Sequence, residues 1–115
     1  MQSTGPIALM TEWTHLFVIL LEGDINETED LELVELALES AQRSGKQVVV
    51  DLSGVQFMGA HLLGELLKPG RPGKPRPWLA GPLSDYAEHT LSVTGTTRAF
   101  RIFPTLVQAI AASCS

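Results

Sequence analysis

The sequence has very little cysteine, and its apolar residues never form a long run. Its one cysteine, Cys114, is the last residue but one of 115, so no disulfide within the chain and no cysteine-based metal site can form. The longest uninterrupted apolar run, Leu16 to Leu21, is far shorter than the roughly 18 to 20 residues that cross a bilayer. Residues 1–10 contain no Lys or Arg and lack the basic start of a secretory signal. We expect a cytoplasmic protein with no membrane partner.

Basic residues are missing from the first third of the chain. Residues 1–42 carry nine acidic residues and no Lys or Arg, whereas residues 43–115 carry four acidic residues and all eight basic ones. The two parts therefore have charges of −9 and +4, which add to the net charge of −5. A nucleic-acid binder normally shows a continuous basic stripe, so this distribution argues against one. A strongly acidic part can still steer a protein partner toward one face.

The remaining composition is that of an ordinary globular protein. Hydrophobic residues make up 44% of the chain and charged residues 18%, which is typical of folded rather than disordered proteins. A chain of this length forms one domain that buries roughly two thirds of its unfolded surface.

Strands and helices are predicted to alternate along the chain. The predicted strands, which are rich in β-branched and large apolar residues, are Ile7 to Trp13, His15 to Leu21, Lys46 to Leu52, Trp78 to Ala80 and Phe100 to Phe103. The predicted helices are one that begins at a capping box of Asn26 and Glu29 and ends at Ser44 and Gly45, then Ala60 to Leu67, Leu83 to Val93, and Thr105 to Ala112 with Pro104 at its start. The order β-β-α-β-α-β-α-β-α predicts an α/β domain with a mixed, mostly parallel sheet of four to five strands and about four helices.

Two charged segments stand out between these elements. In the first helix Leu31, Val34, Leu38 and Ala41 recur at helical spacing and are predicted to face the core, opposite an acidic row of Glu32, Glu35 and Glu39 that ends at Gln42. Residues 68–77, KPGRPGKPRP, end the second helix and hold four of the eight basic residues. Both segments are interpreted first as solvated surface. The alternative for the acidic row is a contact with a basic partner, and the alternative for residues 68–77 is a contact with phosphate or acidic groups.

Residues for catalysis or for cofactor binding are scarce. No nucleophile stands beside a base in a recognisable motif, and His15, His61 and His89 lack the spacing of metal ligands. The sequence has neither a GxxxxGK[ST] run nor a GxGxxG motif between strand and helix. We therefore predict a protein that is not an enzyme and that uses no cofactor.

Three segments in order carry a family resemblance. Residues 48–64, VVVDLSGVQFMGAHLLG, are similar to the phosphorylation segment of STAS domains, the fold of bacterial anti-sigma factor antagonists, whose pattern is roughly D-L-S-x-V-x-F-x-D-S-S-G-L. Residues 21–28, LEGDINET, resemble the family's G-E-L-D-x-x-T turn, and residues 93–106, VTGTTRAFRIFPTL, resemble its closing L-T-G-x-x-x-x-F-x-x-F-P-S-L run. The residue aligned with the family's phosphorylated Ser is Ala60, which has no hydroxyl group.

The resemblance implies a protein-binding module that docks on an anti-sigma factor with a kinase-type ATP-binding fold, so that sigma factor is released. In switchable members the kinase phosphorylates the Ser, and the added charge blocks docking. Carried over to this chain, the partner-binding residues are Asp24, Asn26, Ser53, Gly54, Met58, Gly59, Ala60, His61 and Leu62.

The departure from the family pattern over residues 59–62 leaves more than one interpretation. In one, the chain is an antagonist locked in its binding-competent form. In another, the motif has decayed, and the chain either binds something unrelated to sigma factors or is a structural subunit of an assembly with other STAS proteins, such as a stressosome-like or transporter-associated one. A nucleotide-binding STAS domain is a third alternative, with weaker support in the sequence.

Overall fold

The computed structural model describes residues 7–23, 25, 28–68 and 76–113. Its strands are β1 (Ile7–Glu12), β2 (Leu16–Glu22), β3 (Gln47–Gly54), β4 (Trp78–Ala80) and β5 (Ile102–Phe103). Its α-helices are α1 (Thr28–Arg43), α2 (Ala60–Leu67), α3 (Asp85–Val93) and α4 (Leu106–Ser113), and a short 3₁₀ turn covers Thr97–Ala99.

The five strands form one sheet in the spatial order β1-β2-β3-β4-β5. β1 and β2 are an antiparallel hairpin, and every later neighbour is parallel to the strand before it. The parallel pairs are joined by helical crossovers, as parallel strands require. The predicted α/β class, element order and mixed sheet are confirmed.

Helices cover both faces of the sheet. The larger core lies on the face where apolar side chains of α1, α2 and α3 pack on β2 and β3 through Ile19, Leu21, Val48, Val50 and Leu52. A smaller cluster on the other face joins α4 to Leu16, Val18, Val49 and Ala80. β3 is therefore buried on both faces, which explains its nearly continuous apolar sequence.

Helix α1 has the two faces that its sequence predicts. Val34, Leu38 and Ala41 are buried, and Leu31 is half-buried against the same core. The acidic row is on the outside, with Glu32 and Glu39 exposed. The helix ends at Arg43, and Gly45 follows with a φ of 75°, a left-handed conformation that glycine adopts without a steric penalty.

Some predicted boundaries are wrong by one or two residues. α3 begins at Asp85 rather than Leu83, because the Ser84 hydroxyl accepts from the amide of Ala87 and caps the helix. β5 begins at Ile102 rather than Phe100. Pro104 lies before the cap of α4 rather than in its first turn, since the Thr105 hydroxyl accepts from the amide of Gln108 at 3.3 Å.

Some predicted features lie outside the described residues. These are the capping role of Asn26, the terminal Cys114 and the middle of the proline loop, residues 69–75. The part of the chain that the structure describes contains no helix with the length and apolar character needed to cross a membrane.

Candidate functional site

The site suggested by the sequence lies where β3 ends and α2 begins. β3 is the central strand of the sheet, and five residues, 55–59, connect it to the first residue of α2, Ala60. In open α/β sheets, ligand and partner sites form at the carboxyl ends of the strands. Ser53, Gly54, Ala60 and His61 are all exposed there.

Asp51 shapes the end of β3 from within. Its side chain is buried, and Oδ1 accepts a hydrogen bond from the amide of Ser53 at 2.8 Å. The amide of Val55 donates to the carbonyl of Leu52 at 3.0 Å and closes the turn. A carboxylate that accepts from its own backbone two residues later fixes a turn. Ser53 and Gly54 are therefore exposed to solvent on a backbone that these two hydrogen bonds fix.

Two apolar side chains anchor the connecting segment to the core. Val55 and Met58 are buried, whereas Gln56 and Phe57 between them are exposed. Met58 and Leu62, which the sequence analysis includes among the partner-binding residues, are both 0% exposed, so the structure corrects their placement from the surface to the core. Met58 packs into the core and anchors the connecting segment there, and Leu62 packs into the same core from the first turn of α2.

The start of α2 is a surface with small side chains. Gly59 is the N-cap residue, has an extended backbone (φ −86°, ψ 179°) and makes no side-chain capping bond. Its carbonyl accepts from the amide of Leu63 at 3.1 Å, the first hydrogen bond of the helix. Ala60 and His61 follow, both exposed. The residue aligned with the family's phosphorylated Ser is therefore at the surface, on the first turn of a helix.

An aromatic pair extends this surface onto α3. The rings of Phe57 and Tyr86 lie 4.3 Å apart between centroids at an interplanar angle of 54°, and both side chains are about half-exposed. The Ser84 hydroxyl donates to the carbonyl of Gln56 at 2.6 Å and so joins the start of α3 to the segment before α2. Sequence reasoning did not find Tyr86, and the only local signal was a Ser followed by Asp at the start of a helix.

The loop between β2 and α1 meets the end of β3 through the backbone. The amide of Gly23 donates to the carbonyl of Gly54 at 3.1 Å. A Cβ on Gly54 would lie 2.7 Å from Cγ of Glu22 and 3.1 Å from the carbonyl oxygen of Leu21, so only glycine fits this approach. Asp24 and Asn26, predicted partner-binding residues of this loop, lie outside the described residues.

Opposite charges meet at the far end of α2. Nζ of Lys68 lies 2.9 Å from Oε2 of Glu65 and 3.5 Å from Oε2 of Glu35 in the acidic row of α1. The hydrogen bond to Glu65, with attraction from both carboxylates, raises the pKa of Lys68 above its ordinary 10.5. No cluster of three or more His, Cys, Asp or Glu that could hold a metal ion occurs among the described residues.

Comparison with known proteins identifies the fold. No protein-family model matches the sequence, and no curated protein matches it. An anti-sigma factor antagonist from Mycobacterium paratuberculosis superimposes with a TM-score of 0.81 at 20% identity, over 99% of this chain and 98% of that one. The chain has the STAS fold.

Two further solved structures support this assignment of the STAS fold. An anti-sigma factor antagonist (STAS) domain protein from Planctomyces limnophilus has a TM-score of 0.73 at 23% identity, over 94% of this chain and 98% of that one. An anti-sigma factor antagonist candidate from Thermotoga maritima has a TM-score of 0.71 at 18% identity, over 94% and 95% of the two chains. The STAS resemblance stated from the sequence is thereby confirmed for the fold.

Proposed function

We propose that this chain is a non-enzymatic protein-binding module that acts as an anti-sigma factor antagonist and is not switched by phosphorylation at the usual position. The proposed docking surface consists of Ser53, Gly54, Gly59, Ala60 and His61, to which the family resemblance of the sequence adds Asp24 and Asn26. The observation that carries the proposal is the exposed Ala60 at the start of α2, in the motif position where the resembled family has its phosphorylated Ser.

The chemistry of residue 60 determines how such a module is regulated. Phosphoryl transfer from ATP to a side chain needs a nucleophilic atom such as a hydroxyl oxygen, and the methyl group of Ala60 has none. The doubly charged group that blocks docking in switchable antagonists therefore cannot form at this position. The amount of the protein, rather than the activity of a kinase, then sets how much anti-sigma factor is occupied.

The proposed partner is an anti-sigma factor with a kinase-type ATP-binding fold, and the proposed place of action is the cytoplasm. The docking surface supports a partner of protein nature because it contains small, exposed side chains on a backbone held by Asp51, Val55 and Met58. A backbone that is already fixed by hydrogen bonds and buried side chains needs little ordering when a partner binds.

Phosphorylation of the matched pair, the parent chain and Ala60→Ser, tests the proposal. Each is incubated with the anti-sigma factor kinase encoded beside or recovered with it, in the presence of ATP. The parent should gain no phosphate and should keep its complex, whereas Ala60→Ser should gain one phosphate and lose the complex. An ATP-dependent mass gain at Ser53 or His61 of the parent would contradict the locked interpretation. An Ala60→Ser chain that is never modified would show that residue 60 does not face the kinase.

A structural subunit of an assembly of STAS proteins is the second candidate. The observation that favours it is the departure from the motif at four consecutive positions, 59–62, rather than at the phosphorylated residue alone. Affinity capture from the native cytoplasm separates the two candidates. Recovery of a kinase-fold protein supports the antagonist, and recovery of other STAS chains supports the subunit. Saturable binding of GTP or ATP in a titration would instead favour a nucleotide-binding role.

A further inference from the structure

The two edges of the sheet differ in how they are protected. β5 is only two residues long, with Arg101 immediately before it and Pro104 immediately after it. Short length, a charge and a proline are devices that stop an edge strand from pairing with another chain. β1 is six residues long, IALMTE, and contains no Lys, Arg or Pro. The edge formed by β1 therefore lacks the protection that the edge formed by β5 has.

The hydrogen bonding of the hairpin determines which backbone groups of β1 point away from β2. The amide of Trp13 donates to the carbonyl of Leu16 at 2.7 Å, so Trp13 and Leu16 form a hydrogen-bonded pair. The next pair along the hairpin is Glu12 with Phe17, and Met10 with Ile19 lies two pairs further on. Directly opposed residues of an antiparallel pair alternate between hydrogen-bonded and non-hydrogen-bonded, and the backbone groups of a non-hydrogen-bonded residue point away from the partner strand. The N–H and C=O groups of Glu12, Met10 and Ala8 therefore point to the open side.

The side chains of β1 give this edge an apolar surface. Leu9 and Met10 are 53% and 50% exposed, one on each face of the sheet. Leu9 stands opposite the half-buried Leu20 of β2. The one charged residue of β1, Glu12, has its carboxylate 2.8 Å from Nζ of Lys46. Its charge is therefore balanced within the chain and does not repel an approaching strand.

We propose that β1 pairs with β1 of a second copy of this chain, so that the two sheets join into one continuous sheet. The strands run antiparallel about a two-fold axis at Met10, which places Ala8 of each copy opposite Glu12 of the other. Two identical strands in this arrangement are self-complementary, as a closed two-fold interface requires. The same register puts Leu9 opposite Thr11 of the second copy and keeps the two Glu12 side chains at opposite ends.

The dimer leaves the start of α2 open in both copies. β1 is separated from β3 by a whole strand, β2, and Ala60 lies beyond the carboxyl end of β3. Each dimer would then present two docking surfaces, and a partner that is itself dimeric would bind with added avidity. The dimer proposal depends only on the β1 edge, so it stands or fails independently of the anti-sigma role.

Sedimentation velocity of the full chain over a concentration series tests the proposal. The expected result is a reversible species of twice the 12.4 kDa chain mass. Met10→Pro removes an outward N–H without disturbing the bonds to β2, and Leu9→Lys adds a charge to the edge. Each should weaken dimerisation by about tenfold or more. Val107→Lys, at an exposed apolar position of α4, is the control and should leave it unchanged.

The outcomes that overturn the proposal are distinct. They are a monomer at every concentration, a dimer that neither Met10→Pro nor Leu9→Lys weakens, and a dimer that Val107→Lys weakens equally. Circular dichroism and urea unfolding check that each variant is folded. If Met10→Pro does not fold, the effect of Leu9→Lys on dimerisation decides whether β1 is the interface.

A cross-linking experiment tests the register. Opposed Cα atoms of a bonded antiparallel pair are about 5.5 Å apart, within the range that a disulfide spans. In a Cys114→Ser background, Met10→Cys should form a disulfide dimer on mild oxidation, and Leu36→Cys, on the exposed face of α1, should not. A dimer that persists while Met10→Cys fails to cross-link would overturn the pairing through β1.

Discussion

The hydroxyl of Ser84 lies 2.6 Å from the carbonyl oxygen of Gln56 and donates a hydrogen bond to it. Oγ of Ser84 also accepts a hydrogen bond from the amide of Ala87 at 3.0 Å. One side chain therefore caps α3 and also holds the segment that leads into α2. The start of α3 and the proposed docking surface are connected by this residue and by the tilted contact between the rings of Phe57 and Tyr86.

Ser84→Ala should destabilise the fold. Loss of an N-cap side chain costs about 1 kcal/mol, and loss of a second hydrogen bond costs about 1 kcal/mol more. We expect the free energy of unfolding in urea to fall by about 1 to 2 kcal/mol. Ser92→Ala, the same change at an exposed position of α3, should alter it by less than about 0.5 kcal/mol. Equal changes in the two variants would show that neither the cap of α3 nor the contact between Ser84 and Gln56 contributes to stability.

A negative charge at residue 60 should weaken partner binding. Ala60→Glu imitates the charge of a phosphorylated residue at the start of α2, and Ala60→Gln has the same size without the charge. We expect Ala60→Glu to raise the Kd by about fivefold to tenfold, on the order of 1 kcal/mol, in calorimetric titration with the anti-sigma factor.

Two controls accompany this comparison. Glu39→Gln, in the exposed acidic row of α1, should leave the Kd nearly unchanged because it lies away from the proposed surface. A Kd that rises equally with Ala60→Gln would assign the effect to size rather than charge. A Kd that changes equally with Glu39→Gln would show that the docking surface has been misplaced.

Substitutions of the neighbouring residues Met58 and Phe57 should affect different properties, the stability of the fold and the binding of the partner. Met58 is fully buried, so Met58→Ala should cost about 2 to 5 kcal/mol of stability, while Met58→Leu should cost less than about 1.5 kcal/mol. Phe57 is half-exposed, and its ring contacts that of Tyr86 at a tilted angle. Phe57→Ala should cost on the order of 1 kcal/mol but should weaken partner binding more than Met58→Leu does. Urea unfolding and titration of each variant separate the two effects.

Lys68 should stabilise the fold in a pH-dependent way. Its pKa is raised in the folded chain by Glu65 and Glu35, so the folded state binds its proton more tightly than the unfolded state does. The stabilisation is fully present below the ordinary pKa of 10.5 and is lost as pH rises through the raised value. Lys68→Met should therefore lose stability at neutral pH, with the difference from the parent shrinking above pH 10.5.

Titration of the Lys68 side chain by NMR checks the cause. Glu65→Gln removes the nearest carboxylate charge, at 2.9 Å, while keeping the shape of the side chain. The pKa of Lys68 should then move back toward 10.5. A pKa that stays unchanged in Glu65→Gln would exclude this ion pair as the cause.

Periodicity in the sequence was sufficient to predict the layout of the fold. The apolar run of β3 and the spacing of Val34, Leu38 and Ala41 in α1 correctly indicated a strand covered on both faces and a helix with one buried face. The bounds of α2 and β4 agree with prediction. Both depend on strong local signals, a proline-rich loop that ends α2 and precedes β4.

The site was less predictable because burial within a loop has no period. Gln56, Phe57 and Met58 are consecutive, yet only Met58 points into the core. The family pattern marks these positions without stating which of them reach the surface. Contact between Phe57 and Tyr86 joins residues far apart in sequence, and only the packing of α3 beside the segment before α2 brings them together.

The close approach at Gly54 has a consequence for how partner choice can change. The two loops that leave the sheet beside α2 are fastened to each other by main-chain atoms, through Gly23 and Gly54. Their relative position therefore does not depend on the side chains that each loop carries outward. Substitutions at exposed residues such as Ser53 and His61 can therefore change binding preference while the backbone beneath them keeps its shape.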